Sequence, residues 1–304
     1  GRNLGQNNGT LSTHLNMANG TSLLVGTGVG PTDLPVIPFG VAISNNSNTA
    51  NAGGGIASLA TYDANGFRPL TVAEHLVNTT AGATAQSNIL VNQAGATALG
   101  TTTVGALAIS SPSASPLAPS GAVTAGTLTL TKGVLLSNAQ GNSFTGNLTS
   151  TYTNGDGRQE LILQLYSDNS PTAGTTLAGN IFGNIDVTKS GPGSYFPTGA
   201  NTYTGALIVN AGVVEYANGS ATSQNLGSPT AGAGNILLNG GTLRQTATNN
   251  LIFGITVNGL STFDVPTGIT VNQTAQGMTG KVGVAGILQK TGAGTLTYSG
   301  STDN

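Results

Sequence analysis

The densest group of ionisable side chains is Asp156, Arg158 and Glu160 in "TNGDGRQELIL". Spaced by two at the start of an apolar run, they could share one outward face of a strand. Carboxylates gathered with a cation are what a polysaccharide lyase or hydrolase needs. A local ion pair at a loop-to-strand corner is the simpler expectation. Asp264, between Phe263 and Val265, is expected to point outward into solvent. His14 and His75 lack ligand spacing, so no zinc site is expected. "NGDG" (154–157) is one fragment of a calcium nonapeptide that would have to recur. "GTGVGPTD" (26–33) lacks the Lys and the following helix of a phosphate loop. Tyr152, Tyr166, Tyr195, Tyr203, Tyr216 and Tyr298 would serve either as a carbohydrate-stacking face or as core and corner packing, the commoner role. No catalytic residue, metal ligand or cofactor is assigned.

The elements that would position such residues are built from an unusual composition. Of 304 residues, eight are Lys or Arg and ten Asp or Glu, only 6% of the chain. A typical soluble domain carries about 25%. Thr, Ser, Asn and Gly must therefore meet the water. The greasiest region, 22–44, is interrupted by Asp33, prolines and glycines, so no membrane span is expected. A net charge of −2 gives no electrostatic reason for nucleic acid as a partner. With no cysteine, disulfides, thiolate metal sites and cysteine nucleophiles are excluded. The opening "GRNLGQNNGT" reads as a trimmed product without its targeting signals.

The periodicity is β almost throughout. Ile255-Thr-Val257, Phe263-Asp-Val265, Ile269-Thr-Val271 and Leu296-Thr-Tyr298 alternate apolar with small or polar residues, the period of strands with one buried face. Gly- and Asn-rich corners separate them. One short helix is expected near 72–78, where Thr71 and Glu74 fit a capping box. The Pro/Ser stretch 111–121 reads as a corner insertion.

Phrases also recur. Lys189-Ser-Gly191-Pro-Gly193 and Lys290-Thr-Gly292-Ala-Gly294 lie 101 residues apart, with Gly199 and Gly300 in the same register. Their shared position marks the two lysines as structural. The segment 200–205, with Asn201, Tyr203 and Gly205, resembles 141–146. An aliphatic residue followed by Asn recurs at Asn92, Asn210, Asn239, Asn258 and Asn272, stepping by 29 and then 19 residues from Asn210. Such irregular steps fit coils of variable length. A parallel β-helix accounts for all of this: strands stack coil on coil at about 4.8 Å, and corner amides ladder between coils. Coils of roughly 20 to 25 residues would give about a dozen, a rod roughly 60 Å long.

"GILQKTGAGTLTYSG" (286–300) and "GANTYTGALIVNAG" (199–212, including Asn210 and Gly212) resemble the autotransporter-associated β-strand repeat, also called the passenger-associated transport repeat. "ASLATYDANGFRPLT" (57–71) is similar to a segment upstream of such repeats in large bacterial surface proteins. The match is specific over 187–217 and 286–300 and looser over 57–185. Pro192 and "SYFP" (194–197) depart from it, so a bulge is expected there. The resemblance implies an all-β, right-handed parallel β-helix at the bacterial surface or outside the cell, and no reaction. The expected organisation is one continuous solenoid over 1–304. Its parts are a divergent start (1–56), irregular coils (57–185) and the best-matched repeats (186–304). The expected role is a non-catalytic segment of a surface fibre, filament or adhesin stalk. The alternative is a carbohydrate-active or glycan-binding passenger. The expected partner is a further coil, by continuation of the chain or by end-to-end self-association, with a surface glycan as a second candidate.

Overall fold

The computed structural model describes residues 20–44, 56–64, 66–93, 95–110, 122–138, 141–166, 174–217, 225–228, 236–274, 278–280 and 286–299. His14, the insertion 111–121 and Gly300 lie outside these residues, as does most of 1–56. The described chain is all-β, with two single-turn 3-10 helices at Gly20–Leu23 and Val72–Glu74.

Strands alternate between two ten-stranded parallel sheets. The first sheet runs in chain order from Leu76–Val77 through Asn88–Val91, Ala106–Ile109, Val134–Ser137, Gln159–Leu165, Ile185–Ser190, Leu207–Val209, Ile236–Leu238 and Ile255–Val257 to Met278–Gly280. The second includes Ala122–Leu130, Thr175–Leu177, Ser194–Pro197, Val213–Tyr216, Thr242–Gln245, Gly259–Asp264 and Gly286–Thr291. A smaller third sheet stacks Asn249–Leu251, Thr270–Gln273 and Thr295–Tyr298, also in parallel. Each strand thus pairs with the one laid down a full circuit earlier, an arrangement compatible with a parallel β-helix.

The period-2 pattern explains the core. In the register Leu163↔Leu135, Val187↔Leu207 and Leu207↔Ile236, aliphatics stack in columns and are fully buried. Val214, Leu243 and Phe263 face them from the second sheet, in register with one another. "SYFP" forms no bulge: it is a regular strand, Tyr195 pairing with Thr175 on one side and Val214 on the other. The register shifts fall instead between Ala98 and Thr102, against 122–130.

A three-stranded antiparallel sheet, Val41–Ser44, Ile56–Asp63 and Gly66–Pro69, was not among the sequence expectations. Its Ala57 and Leu59 pack on the outer face of the first parallel sheet, against Leu90, Ala106, Ala108, Val134 and Leu136. That is why Asn88–Val91, Ala106–Ile109 and Val134–Ser137 are buried at every position. The helix expected near 72–78 is shorter than that. After Glu74 the backbone of His75 is extended, and Leu76–Val77 already pairs with Ile89 and Leu90. Tertiary pairing of Leu76 and Val77 overrides the cap's local preference.

Candidate functional site

The ionisable groups that the fold gathers belong to successive circuits. On the outward face of the second sheet, Glu215, Arg244, Asp264 and Thr291 stand in one cross-strand row, each in register with the next. Arg244 Nε is 3.5 Å from Glu215 Oε2 and 3.2 Å from Asp264 Oδ2, so the two carboxylates flank one guanidinium. Thr291 Oγ1 donates to Asp264 Oδ1 at 3.0 Å. Asp264 is therefore outward, as its alternation indicates, but ion-paired and only 22% exposed rather than free in solvent. Glu215 and Arg244 carry no sequence motif. Burial pushes the Glu215 carboxyl above its ordinary value; Arg244 opposes this and Asp264 reinforces it.

Beside Glu215 opens a cleft of about 510 Å³, also lined by Thr176, Phe196, Thr198, Asn225 and Thr246. Tyr195 points into the core, so the next residue, Phe196, points out, half-buried and in register with Thr176. Glu215 Oε2 and Arg244 Nε are buried and lack hydrogen bonds of good geometry among the described residues.

Asp156, Arg158 and Glu160 are not one cluster. Arg158 donates twice to Asp186 on the adjacent strand, Nε to Oδ2 at 2.5 Å and Nη2 to Oδ1 at 2.7 Å. The expected local pair is thus a pair between circuits. Asp186 Oδ1 also accepts the Ala206 N–H at 2.7 Å, and Glu160 accepts the Thr188 hydroxyl. Asp156 only donates its N–H to the side chain of Asn154, closing the "NGDG" turn. Among the described residues no three His, Cys, Asp or Glu side chains converge as a metal site.

The repeat lysines lie in equivalent turns on different sheets, Lys189 in the first and Lys290 in the second. Lys189 Nζ donates to the carbonyls of Ser190, Gly191 and Ala211 at 3.1, 2.6 and 2.9 Å. Lys290 makes the first two contacts, to Thr291 and Gly292 at 3.2 and 2.7 Å. Gly193 and Gly294 each donate their N–H to the preceding circuit, to Leu165 and Val265. Gly191 and Gly292 have φ of +79° and +71°, and a Cβ at either would strike those same carbonyls. A third lysine, Lys132, escaped the sequence reading. Its fully buried ammonium reaches the carbonyls of Asp33, Leu34 and Gln86 and the Asn88 Oδ1, at 2.6 to 3.2 Å. Burial pushes both Lys132 and Lys189 down to about 7.

The other repeat positions are packing positions. Asn201 is buried, accepting the Ile181 N–H at 2.7 Å, and Tyr203 lies in the core, where its counterpart Phe144 also lies. Gly199 and Gly205 pass so close to the Gly179 and Ile185 carbonyls that a Cβ would sit 2.0 and 2.3 Å from them. At Gly212 (φ +67°) a Cβ would meet Gly193 O at 2.4 Å. The corner amides do ladder: Asn239 donates to Asn210 at 2.9 Å. Asn272, however, donates to Asn250 in the third sheet at 3.3 Å, outside the Asn210 column. Of the tyrosines, Tyr195, Tyr203 and Tyr216 are buried core residues while Tyr298 is exposed, so they make no single stacking face.

Near the antiparallel sheet, Arg68 forks onto Glu74 at 2.8 and 2.9 Å and reaches Asp63 at 2.6 Å. Glu74 accepts the Thr71 N–H at 2.7 Å, the reach-back contact of a capping box. Burial alone would raise the Glu74 carboxyl, but the bonds from Arg68 and Thr71 hold it below its ordinary value. His75 Nδ1 contacts the Thr71 carbonyl, and burial lowers the imidazole's affinity for a second proton.

What fold and sites define is a class: an all-β protein of stacked parallel strands whose charges pair between circuits. Within it, 120 residues, 40% of this chain, are 34% identical to the Adhesin BmaC autotransporter of Brucella suis biovar 1 (strain 1330). The chain thus spans about 3% of the length of the curated relative it matches. This agrees with the resemblance to autotransporter-associated surface proteins read from the repeats. No family model matches the chain, and no solved structure matches it.

Proposed function

We propose that the chain is a right-handed parallel β-helix, a non-catalytic segment of a bacterial surface fibre, filament or adhesin stalk. The observation that carries this reading is the in-register parallel stacking of strands from successive stretches of the chain, most of them falling in turn to one of two ten-stranded sheets. A strand, crossover and parallel strand in one sheet is right-handed in nearly all proteins. Likeness to an autotransporter adhesin supports an extracellular or cell-surface location. Its division into a divergent start (1–56), irregular coils (57–185) and repeats (186–304) belongs to the same proposal.

The partner is a further coil. Met278–Gly280, Gly286–Thr291 and Thr295–Tyr298 are the last described strands of their three sheets. Ile287 and Tyr298, on two of these strands, are exposed by 59% and 41%. Strand edges beside exposed apolar side chains favour addition of another strand. Such a coil would also supply Lys290 with the third carbonyl that Ala211 gives Lys189. The coil comes from continuation of the chain or from a second copy joined end to end, the heterologous contact that builds filaments. Electron microscopy and mass measurement of the native material test this: rods or filaments are expected. A strictly monomeric species of 29.9 kDa without assembly would overturn it.

A further inference from the structure

We propose that the Lys290–Gly294 turn is an acceptor site for a parallel strand that ends in an Asn-small-Gly corner, the corner that 210–212 lays over the Lys189–Gly193 turn. The inference rests on the stacked-coil reading above and specifies the coil that this end accepts.

The molecule holds the same turn twice, once covered and once open. Over the covered copy runs Leu207–Val209, with Leu207 on Val187 and Val209 on Lys189. The corner that follows is fixed residue by residue. Asn210 donates its N–H to the Lys189 carbonyl at 2.9 Å and its Nδ2 to Ser190 Oγ at 3.3 Å. Ala211 turns its carbonyl onto Lys189 Nζ at 2.9 Å. Gly212, at φ +67°, crosses the turn so closely that a Cβ would lie 2.7 Å from both Lys189 Nζ and Gly191 O. Its φ and this close approach both require glycine.

Each of these contacts has a counterpart group in the open copy: Lys290 for Lys189, Thr291 for Ser190, Gly292 and Gly294 for Gly191 and Gly193. The turn is already formed there, since Gly292 has φ of +71° and Lys290 Nζ holds the Thr291 and Gly292 carbonyls. An ammonium has three protons, and the third of Lys290 has no acceptor among the described residues. Thr291 Oγ1 gives its proton to Asp264 and keeps its lone pairs for an amide N–H. Leu288 stands where Val187 stands, two residues before the lysine. Val187 is fully buried beneath Leu207, whereas Leu288 packs on the core only half-buried. A turn held in its bound shape loses little conformational freedom when the strand arrives.

The partner's chemistry follows from the covered copy. It is an extended strand with two aliphatics spaced by two, to lie on Leu288 and Lys290, then Asn, a small residue and Gly. A side chain at the last position would strike the lysine and the carbonyls of the turn.

The test is titration of the full chain into a fluorescently labelled peptide of residues 199–216, which carries that strand and corner, read by anisotropy. Saturable binding with Kd of about 0.1 mM or tighter is expected, with none for a scrambled peptide. Gly212→Val in the peptide should weaken binding at least about tenfold, and Lys290→Met in the protein at least about fivefold, the loss of a charge-assisted hydrogen bond. The peptide variant keeps the test open if the protein variant does not fold. Absence of saturable binding up to about 1 mM protein would overturn the proposal. So would equal binding of the scrambled peptide, or undiminished binding with Gly212→Val or with folded Lys290→Met. Rods in the microscope together with a peptide that does not bind would leave the fibre reading standing and sink this one. A strict monomer whose end still takes the peptide would do the reverse.

Discussion

Lys189 places an ammonium where its strand neighbours Leu163 and Val209 place aliphatic side chains. Its stem completes the core column while its head closes three carbonyls at the corner. Replacing it with Met keeps the stem and leaves those carbonyls without their donor, at a cost of about 1–3 kcal/mol. Lys290→Met, at an exposed turn with two carbonyl contacts, should cost clearly less. Urea unfolding of both variants measures the difference. Lys132 and Lys189 also set a pH dependence. Folded, they lose their protons near 7; unfolded, near the ordinary 10.5. Between those values the unfolded chain binds more protons, so stability should rise with pH from about 7 to about 10.5 and level off above. Below 7 both states are protonated and this contribution is lost. The slope should shrink in Lys132→Met and Lys189→Met. At Gly292, φ of +71° and the Val265 carbonyl 2.1 Å from a would-be Cβ both forbid a larger residue. Gly292→Val should cost about 1–3 kcal/mol, read from the same unfolding curves.

Among the elements, cross-strand rows determine where charge is tolerated. Arg244→Glu would align three carboxylates on adjacent strands. A loss of about 1–2 kcal/mol is expected, smaller at high salt because the row is partly exposed. Thermal melts at two ionic strengths check this. The alternation, the glycine corners and the Lys-x-Gly-x-Gly turn were legible in the sequence because they are set within a few residues. The charge row was legible only in principle: Glu215 and Arg244 are 29 residues apart, the same step as Asn210 to Asn239. Carrying that coil length from the amides to the charges would have found it. Arg158 and Asp186 hid for a related reason, since nearness in sequence drew attention to Asp156 and Glu160 instead. The antiparallel sheet left a different trace. "ALAI" and "VLLS" (106–109 and 134–137) are continuous apolar runs, the mark of strands covered on both faces, and alternation alone does not say what covers them.

Over the whole molecule, stability is local and repeated, each circuit resting on its neighbours. The proposed end-to-end assembly would run through the last described strands. Ile287→Glu should then weaken that association without lowering the melting temperature, since the side chain is exposed. Sedimentation of the variant against the parent reads the difference. The antiparallel sheet carries a further consequence, a mechanical one. A stack of parallel strands pulled along its axis gives way by peeling its outermost strand, a few bonds at a time. Ala57 and Leu59 instead lie flat across three successive strands, and Lys132 ties the segment at Asp33 and Leu34 to that same region. Tension entering through this flap is shared by three circuits and must shear an apolar contact rather than unzip an edge. Single-molecule pulling should therefore meet a higher rupture force through residue 41 than through residue 299, and the flap would serve a surface fibre as its strain relief.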